Sequence, residues 1–480
     1  MTRRREHFRI NKLKRTYDHN TNTFTFNISY ETAAKTLTPR TKTVAEAFGI
    51  GTDQTHKFTL YDNFSLKIHP TDIVLITGDS GSGKSALLKA IKQDLGAEAN
   101  DIKDPNLDAN TPIIETVGEN THEALELLSR VGLNDAFLFL RSYTELSDGQ
   151  KHRYRIARLA ESPARWWILD EFTSALDRDT AKIVAFNLQR LARRMGKAVI
   201  AATTHDDLSA DLTPDMHVHK RYGKEVAIRY FPKAAASECS LIGEMRVEQG
   251  SLEDYKLLSV FHYREGRCPA PRKIFALKRG SETCGVAVYG FPAPMCFGRS
   301  KVWKGTLAEL QREVSVISRV VVHPKYRSIG LGAKLVRESL PLAGTRCVEA
   351  VAVMARVNPF FERAGMRRIA ESKPSVHVQN ALEKLEALGF DCALLAGVAY
   401  GERVVSRVGC EAVLNVLEQL SKHDAGVRRR LASLKNVYPK HQEFTAKINQ
   451  LDAYGLAKAL KRLSFMAQTK VYLFWEKPEH

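Results

Sequence analysis

The stretch that most constrains this chain runs from Gly78 to Ser85 and reads Gly-Asp-Ser-Gly-Ser-Gly-Lys-Ser. An apolar run at residues 73–76 precedes it and a helix-forming run at residues 86–91 follows it, which predicts a strand, a tight loop and a helix. Glycines in such a loop let backbone N–H groups and the helix N-terminus point at phosphate oxygens, while Lys84 supplies a cation and Ser85 a hydroxyl for Mg²⁺. The spacing therefore predicts a phosphate-binding loop.

The size and composition of the chain limit its class. It has 480 residues, which at about 100–200 residues per domain predicts two to four domains. Its longest uncharged apolar stretches, such as residues 392–400, fall short of the roughly 20 residues that cross a bilayer, so no membrane segment is expected. Seven cysteines occur without a Cys-x-x-Cys pair. This favours reduced thiols in a cytoplasmic protein over a disulfide framework or a zinc site.

The formal net charge of +18 is unevenly distributed. Residues 251–480 hold 37 of the 72 lysines and arginines but only 21 of the 54 acidic residues. A second excess lies at the start of a basic N-terminal arm, residues 1–22, which is expected to be disordered by itself. We expect a polyanionic partner for these regions, with nucleic acid preferred and acidic lipids or proteins left open as alternatives.

Four further motifs follow the phosphate-binding loop. They are Leu146-Ser147-Asp148-Gly149-Gln150, the apolar run 166–169 ending in Asp170-Glu171, the segment Ser174-Ala175-Leu176-Asp177, and the run 199–204 ending in His205. In this order and spacing the five motifs resemble those of the ATP-binding cassette (ABC) ATPases, with a P-loop, signature motif, Walker B strand, D-loop and switch histidine. The resemblance implies an N-terminal ABC-type α/β domain at residues 23–232.

The resemblance also implies a role for each motif. Ser85 and Asp170 would hold Mg²⁺. Glu171 would accept a proton from the attacking water and His205 would contact the γ-phosphate, which makes these two the expected catalytic residues. The residues implied to bind ATP are Gly78, Ser80, Gly81, Gly83, Lys84, Ser85, Ser147, Gly149 and Asp177. In the family the signature motif faces the P-loop of a second cassette. Because this chain has one P-loop, the resemblance implies a homodimer that encloses two ATP molecules.

Two features depart from the family pattern. Only 62 residues separate Lys84 from Ser147, which is short for a transporter cassette, and a glutamine is missing where the family's Q-loop falls. Glu115 is the candidate substitute. Since that region normally meets a membrane partner, these departures weaken a transporter role. Phe48 and Phe58 are the candidates for stacking on adenine, although either could equally be a core residue.

The second half contains another glycine-rich loop. A strand-forming run at residues 314–322 leads into His323-Pro324-Lys325-Tyr326-Arg327-Ser328-Ile329-Gly330-Leu331-Gly332, and a helix-forming run at 334–340 follows. Arg327, Gly330 and Gly332 match the Arg/Gln-x-x-Gly-x-Gly/Ala signature of the GNAT acyltransferases, and residues 358–366 match that family's next helix and turn. The resemblance implies a GNAT-like α+β domain that binds acetyl-CoA or another acyl-CoA. The implied acyl-CoA-binding residues are Val320, Val322, Arg327, Ser328, Gly330, Leu331, Gly332, Ala333, Asn358 and Phe361.

The chemistry of acyl transfer is left open. Phe361 stands where the GNAT family commonly has a tyrosine that protonates the departing thiolate, so transfer would use another proton donor or none. Glu313, Ser315 and His323 are candidates for the general base, each with a structural role as the competing interpretation.

The region from residue 378 to 467 is unlike the usual end of a GNAT domain. Leucines and valines recur there at helical spacing, which predicts a basic helical insertion. The run at residues 470–476 predicts a strand that returns to complete the GNAT-like sheet, so this domain would comprise residues 238–377 and 468–480. The insertion would face the substrate, or it would be a solvated basic bundle.

The two halves together resemble ABC-type ATPases fused to a predicted acetyltransferase domain. The first hypothesis is an ATP-hydrolysing enzyme that acylates DNA or RNA, with the ATPase dimer clamping or remodelling the nucleic acid. The second hypothesis keeps the acyltransferase and makes its acceptor a protein or a small amine. The third is a nucleic-acid-binding ABC ATPase whose GNAT-like domain is not catalytic.

Overall fold

The computed structural model describes residues 9–32, 38–51, 56–102, 107–133, 135–262, 270–356, 358–434 and 437–478. The chain divides into two compact units. The first comprises Met1–Gly266, Phe275–Val286 and Val321–Leu335, and the second comprises Arg267–Ile274, Ala287–Val320 and Val336–His480. No helix within the described ranges has both the length and the apolar character needed to cross a membrane.

The strands and helices alternate along most of the chain. Up to residue 230 they are β1 (Arg9–Asp18), β2 (Thr23–Thr32), α1 (Pro39–Phe48), β3 (His56–Lys67), β4 (Ile73–Thr77), α2 (Lys84–Leu95), β5 (Ala99–Asp101), α3 (Thr121–Arg130), α4 (Ala136–Phe139), α5 (Asp148–Glu161), β6 (Trp166–Leu169), α6 (Arg178–Met195), β7 (Ala198–Ala202), α7 (Ser209–Leu212), β8 (Met216–Lys220) and β9 (Val226–Tyr230). They continue with β10 (Arg246–Gln249), α8 (Leu252–Ser259), β11 (Pro271–Arg279), β12 (Glu282–Gly290), α9 (Leu307–Glu313), β13 (Val314–Val322), α10 (Leu331–Ser339), β14 (Cys347–Ala352), α11 (Phe360–Arg363), β15 (Arg367–Ser372), α12 (Val376–Ala387), α13 (Val398–Val408), α14 (Cys410–His423), α15 (Ala425–Leu431), α16 (His441–Ile448), α17 (Ala453–Met466) and β16 (Lys470–Glu476).

A six-stranded sheet lies at the centre of the first unit, in the order β5-β6-β7-β4-β8-β9. The first five strands in this order, from β5 through β4 to β8, pair in parallel. Strand β9 at the edge is antiparallel to β8. Every residue of β4 is buried. Ile73 and Leu75 belong to one core with residues of α5 and α6, whereas Val74 and Ile76 belong to a second core with residues of α2. Because side chains alternate along a strand, an unbroken apolar run indicates burial on both faces, as observed here.

A three-stranded antiparallel sheet, β1-β2-β3, belongs to the same unit. Residues 1–8 of the predicted arm lie outside the described residues, but the expectation of disorder is wrong for residues 9–18, which form β1 and pair with β2. Apolar and charged residues alternate along this segment, a pattern that its basic composition makes hard to recognise. Leu13 and Tyr17 pack against a core that includes the buried Phe24 and Phe26 of β2. Arg15, on the same face, pairs with Asp94 at 2.9 Å.

A seven-stranded sheet has the order β10-β11-β12-β13-β14-β16-β15. Strand β13 runs parallel to β14, and β16 pairs antiparallel with β14 on one side and β15 on the other. Residues 470–476 thus form a strand of this sheet, between β14 and β15. Helices α12 to α17 lie between β15 and β16 in sequence and share a core of their own.

Candidate nucleotide-binding site

The phosphate-binding loop connects β4 to α2 in a conformation that needs glycine at its first position. Gly78 has φ +138°, and a Cβ built on it would lie 2.0 Å from the carbonyl oxygen of Lys220 on β8. No side chain fits such a contact with a backbone atom. The loop thus passes directly over the end of β8 before α2 begins.

Two side chains of the loop are suited to an anionic ligand. The Lys84 ammonium donates to the carbonyl oxygens of Gly78 at 2.6 Å and Asp79 at 2.7 Å, so the lysine folds over its own loop. Burial lowers the pKa of Lys84, while the nearby carboxylates of Asp170, Asp79 and Asp206 act in the opposite direction. The Ser82 hydroxyl is buried and has no hydrogen-bond partner among the described residues. A phosphate group would supply acceptors for these donors.

The two residues implied to hold Mg²⁺ lie in contact. Ser85, in the first turn of α2, donates its hydroxyl to Asp170 Oδ1 at 3.0 Å. Asp170 follows β6 and also accepts the backbone N–H of Glu171. A hydroxyl beside an exposed carboxylate is the kind of oxygen donor set that Mg²⁺ prefers, together with phosphate oxygens and water. The residues present therefore fit a magnesium nucleotide.

Glu171 and His205, the expected catalytic residues, follow neighbouring strands. Glu171 is exposed and has φ +50°, and the next residue donates its backbone N–H to Ala202 of β7 at 2.7 Å, which fixes the turn. The Nε2 atom of His205 is buried and has no partner among the described residues. Burial, and after it Arg178, lowers the pKa of His205, while Asp207 and Asp206 oppose the shift. His205 is thus neutral near pH 7 and offers one ring nitrogen to a ligand.

The signature motif forms the N-terminus of α5. Ser147 is the N-cap residue: its hydroxyl accepts the Gln150 N–H at 3.4 Å, and the Gln150 side chain accepts the Ser147 N–H at 3.0 Å. This reciprocal cap explains the choice of serine and glutamine at that spacing. Ser147 and Gly149 line a cavity of about 310 Å³ together with Asp177, Lys325 and other residues.

The predicted acyl-CoA loop contacts the same region of the first unit. Lys325 pairs with Asp177 at 3.3 Å and with Asp179 at 2.7 Å. Arg327 pairs with Asp135 at 2.6 Å and also donates to the carbonyl oxygens of Phe261 and Val322. The Arg327 guanidinium therefore has protein partners on several sides in this conformation.

Ser328 and Gly330 complete the turn of this loop. The Ser328 hydroxyl accepts a hydrogen bond from the Asn187 amide at 2.8 Å, and Ser328 has φ +75°. Gly330 has φ +96° while no atom lies within 4 Å of a Cβ built on it. A side chain at position 330 would thus be opposed by backbone conformation and not by a neighbouring atom.

The other implied acyl-CoA residues divide between the two units. Val322, Leu331, Gly332 and Ala333 belong to the first unit, whereas Val320, Asn358 and Phe361 belong to the second. Leu331, Ala333 and Phe361 are buried, Val320, Val322 and Gly332 are half-buried, and Asn358 is exposed.

The candidates for a general base all have structural partners. Ser315 is fully buried and accepts from the Thr345 hydroxyl at 3.1 Å. Glu313 accepts from the indole N–H of Trp303 at 3.3 Å. His323 Nδ1 accepts the Lys325 N–H at 3.3 Å, and burial lowers the pKa of this histidine. Burial of Ser315 excludes it from direct contact with an acceptor in this conformation.

The remaining nucleotide-site candidates are more exposed. Phe48 on α1 is 76% exposed, and Phe58 on β3 is 41% exposed and meets Tyr222 edge-on, with ring centroids 6.3 Å apart. Glu115 is exposed at the end of a short 3₁₀ turn.

Sequence reasoning missed a pair of histidines behind the phosphate-binding loop. The Thr77 hydroxyl lies 2.8 Å from His217 Nε2 and 2.9 Å from His219 Nδ1. Among the described residues, Asp206, His217 and His219 are the group whose possible metal-ligating atoms lie within 4.8 Å of one another. The pattern His217-Val218-His219 in the sequence could have indicated this pair, because residues i and i+2 of a strand place their side chains on one face.

Comparison with known proteins places the first unit in a family. The family model described as ABC transporter matches residues 61–174. A cytochrome c biogenesis ATP-binding export protein from Colwellia psychrerythraea is 30% identical over 181 residues, covering 31% of this chain and 80% of that protein. Its counterpart from Gluconobacter oxydans is 33% identical, covering 32% of this chain and 77% of that protein. The chain belongs to the ABC ATPase family. ATP and Mg²⁺ are the typical ligands of an ABC ATPase, and the donor sets around Lys84 and Ser85 suit them.

A solved structure gives a further comparison. A dimeric ATP-binding cassette in a post-hydrolysis state, bound to ADP and phosphate, has 20% sequence identity and a TM-score of 0.31, and the match covers 37% of this chain and 94% of that one.

Proposed function

We propose that this ABC ATPase couples ATP hydrolysis to the transfer of an acyl group from acetyl-CoA or another acyl-CoA to nucleic acid. The observation that carries the acyl-CoA part is the arrangement of β13 and β14. They pair in parallel over Val314–Ile317 and Cys347–Ala350, and both strands continue past the paired segment, to Val322 and Ala352. An extended ligand with amide groups, such as the pantetheine arm of CoA, suits backbone groups of strands that part in this way.

The loop after β13 supports the same proposal. Gly330 precedes α10, a nine-residue helix whose first N–H groups and dipole favour an anion such as a pyrophosphate. Acyl transfer would join an amine nitrogen of the acceptor to the thioester carbonyl, break the C–S bond and pass the amine proton to the departing thiolate. Because Phe361 has no hydroxyl, water or the acceptor itself would carry that proton.

The ATPase part requires two copies of the chain. Ser80 of the P-loop and Ser147 of the signature motif are exposed, and the sequence holds one copy of each motif. A homodimer in which each signature motif completes the partner's ATP site would use both motifs. Glu171 would accept the proton of the attacking water, while Lys84 and Mg²⁺ would neutralise the phosphate charge.

Charge supports nucleic acid as the acceptor. Residues 251–480 carry 37 basic and 21 acidic side chains. Phosphate contacts release counterions, so binding to nucleic acid should weaken steeply as salt rises. A small neutral amine would show no such dependence.

The test is mass spectrometry of nucleosides from total DNA and tRNA of cells with and without the protein. We expect a new acylated nucleoside with the wild-type chain and not with Gly330→Val, while Glu171→Gln shows whether transfer depends on ATP turnover. Absence of any new mass, with ATP hydrolysis intact, would overturn acyl transfer to nucleic acid.

A second candidate is a nucleic-acid-binding ABC ATPase with a non-catalytic acyl-CoA domain. Two observations favour it: Phe361 is 6% exposed and has no acidic proton, and Arg327 is paired with Asp135. Equilibrium dialysis with labelled acetyl-CoA separates the candidates. Binding of acetyl-CoA followed by release of free CoA supports the first candidate. An absence of CoA release, whether or not acetyl-CoA binds, supports the second.

A further inference from the structure

The helical insertion contains a cavity of about 370 Å³ whose polar lining is strongly basic. It lies between α15, α17 and the start of β16. Its lining residues are Arg429, Arg430, Ser433, Leu434, Arg462, Phe465, Met466 and Lys470, hereafter the arginine pocket. No aspartate or glutamate is among them. A cavity of this size holds a ligand fragment of roughly nucleotide size.

The arginines of this pocket have no acidic partners. No ion pair joins Arg429, Arg430 or Arg462 to an acidic side chain within the described part of the chain. Their neighbour Arg428 is held by the fold, since it donates to the carbonyl oxygens of Pro439 at 2.8 Å and Ser421 at 2.6 Å. Arg462 donates to the Leu431 carbonyl at 2.8 Å, and burial lowers its pKa. Three arginines without acidic partners around a concave site favour an anionic ligand.

The same pocket offers an apolar wall. Phe465 is 39% exposed, and Met466 lies beside it on α17. Just outside the pocket lining, Tyr438 is 57% exposed and carries the Arg429 guanidinium over its ring, with the Arg429 Cζ atom 4.9 Å from the centroid. Exposed aromatic faces next to arginines are what proteins use to stack bases while holding phosphates.

We propose that the arginine pocket binds one nucleotide of a single-stranded nucleic acid, with its phosphate against Arg429 and Arg430 and its base against Phe465. The proposal rests on nucleic acid as the partner in the proposed function, and it names where the strand is held. A duplex is a poorer match, because its stacked bases cannot reach an aromatic side chain inside a cavity.

The test uses the full-length protein and fluorescein-labelled single-stranded oligonucleotides, dT20 and U20, with fluorescence anisotropy at several salt concentrations. The pocket variant is Arg430→Ala/Phe465→Ala, which leaves Arg428 in place. The neutral control is Arg403→Ala/Glu402→Gln on α13, which leaves the net charge unchanged. The charge control is Arg403→Ala alone, which like the pocket variant removes one cation, here an exposed one elsewhere on the insertion. Thermal melting of each variant checks that the fold is retained.

We expect the affinity of the pocket variant for the oligonucleotides to be at least about tenfold lower than that of the wild type. The slope of log affinity against log salt should become less negative by roughly one, because one phosphate contact is lost. Both controls should stay within about threefold of wild type. Phe465→Ala alone should weaken binding at high salt as well, because stacking is less sensitive to ions than phosphate contacts.

Other outcomes overturn the proposal in distinguishable ways. Equal losses in the pocket variant and the charge control would mean that diffuse charge, and not the pocket, binds the strand. Absence of binding by the wild-type chain would overturn both the pocket and the nucleic-acid partner. Binding to vesicles of phosphatidylserine and phosphatidylcholine, but not to oligonucleotides, would reassign the surface to anionic lipid. If oligonucleotide binding depends on the pocket but no acylated nucleoside is found, the pocket stands and acyl transfer fails.

Discussion

Arg327 and Asp135 form an ion pair in which guanidinium Nη1 lies 2.6 Å from carboxylate Oδ2, with both side chains largely buried, at 16% and 20% exposure. The pair joins the glycine-rich loop after β13 to the segment that begins α4. Arg327 is the residue that matches the arginine of the acyl-CoA signature, and Asp135 binds its guanidinium. Lys325, two residues earlier, is held by Asp177 and Asp179 at the start of α6. The loop is thus fixed by acidic residues of the ABC ATPase region.

Releasing this arginine should favour acyl-CoA. With Asp135→Asn the carboxylate no longer competes for Arg327, and we expect the Kd for acetyl-CoA to fall about fivefold, equal to about 1 kcal/mol for a partly buried pair. Isothermal titration calorimetry measures the change. Glu126→Gln on α3 is the control, since Glu126 pairs with Arg130 within its own helix. An unchanged Kd in Asp135→Asn would show that the ion pair does not oppose acyl-CoA binding.

Glu171 should be required for hydrolysis and not for ATP binding. Glu171→Gln keeps the size and exposure of the side chain but removes its ability to accept a proton, so ATP turnover should fall at least about 100-fold while ATP still binds. Phosphate release and calorimetric titration with ATP measure the two properties. Lys89→Ala, exposed on α2, is the control and should hydrolyse ATP normally. Hydrolysis at the wild-type rate in Glu171→Gln would remove Glu171 from the catalytic role.

Gly78 should tolerate no side chain. In Gly78→Ala the added Cβ would lie 2.0 Å from the carbonyl oxygen of Lys220, so the loop must move, and we expect loss of ATP binding and a fall of about 2 kcal/mol or more in the free energy of unfolding. Gly81→Ala is the matched control, because φ is +79° there but no atom lies within 4 Å of the Cβ. Its cost should be about 1 kcal/mol. Urea denaturation compares the two, and equal effects would contradict the steric explanation.

His152 should make stability depend on pH. This residue lies on α5, its Nε2 atom is buried without a partner among the described residues, and burial, then Arg155 and Arg153, lowers its pKa to about 4. The unfolded chain has an ordinary histidine pKa of about 6.5, so between pH 6.5 and 4 it binds more protons than the folded chain and stability falls as pH falls.

The variant His152→Leu should remove that contribution. The difference in unfolding free energy between wild type and variant should change by up to about 3 kcal/mol from pH 7 to pH 4, an upper limit because the ring is not fully buried. His122→Leu, at an exposed position on α3, is the control. If the difference in unfolding free energy between wild type and His152→Leu stayed constant from pH 7 to pH 4, His152 would not be buried in its neutral form.

The sequence predicts the candidate nucleotide site because the chemistry of that site depends on neighbours along the chain. The P-loop glycines, Lys84 and Ser85 lie within eight residues, and the buried run of β4 specifies a strand before them. The contact between Ser85 and Asp170 agrees with the magnesium roles that the resemblance implies for them. The strands that precede these residues, β4 and β6, lie on either side of β7, and the carboxyl ends of parallel strands meet at one edge of a sheet. The alternation of residues 13–17 does not by itself predict β1, because an edge strand rich in charged residues has the same composition as a solvated arm.

The sequence by itself determined the order of the ATPase motifs, the helical insertion and the strand at residues 470–476, because each depends on local spacing and hydrophobic period. Only the tertiary structure decided the partners of Lys325 and Arg327, the position of the His217 and His219 rings against Thr77, and the cavity between α15 and α17. These contacts join residues far apart in the chain. Their geometry is set by how whole elements pack, which no local pattern of residues encodes.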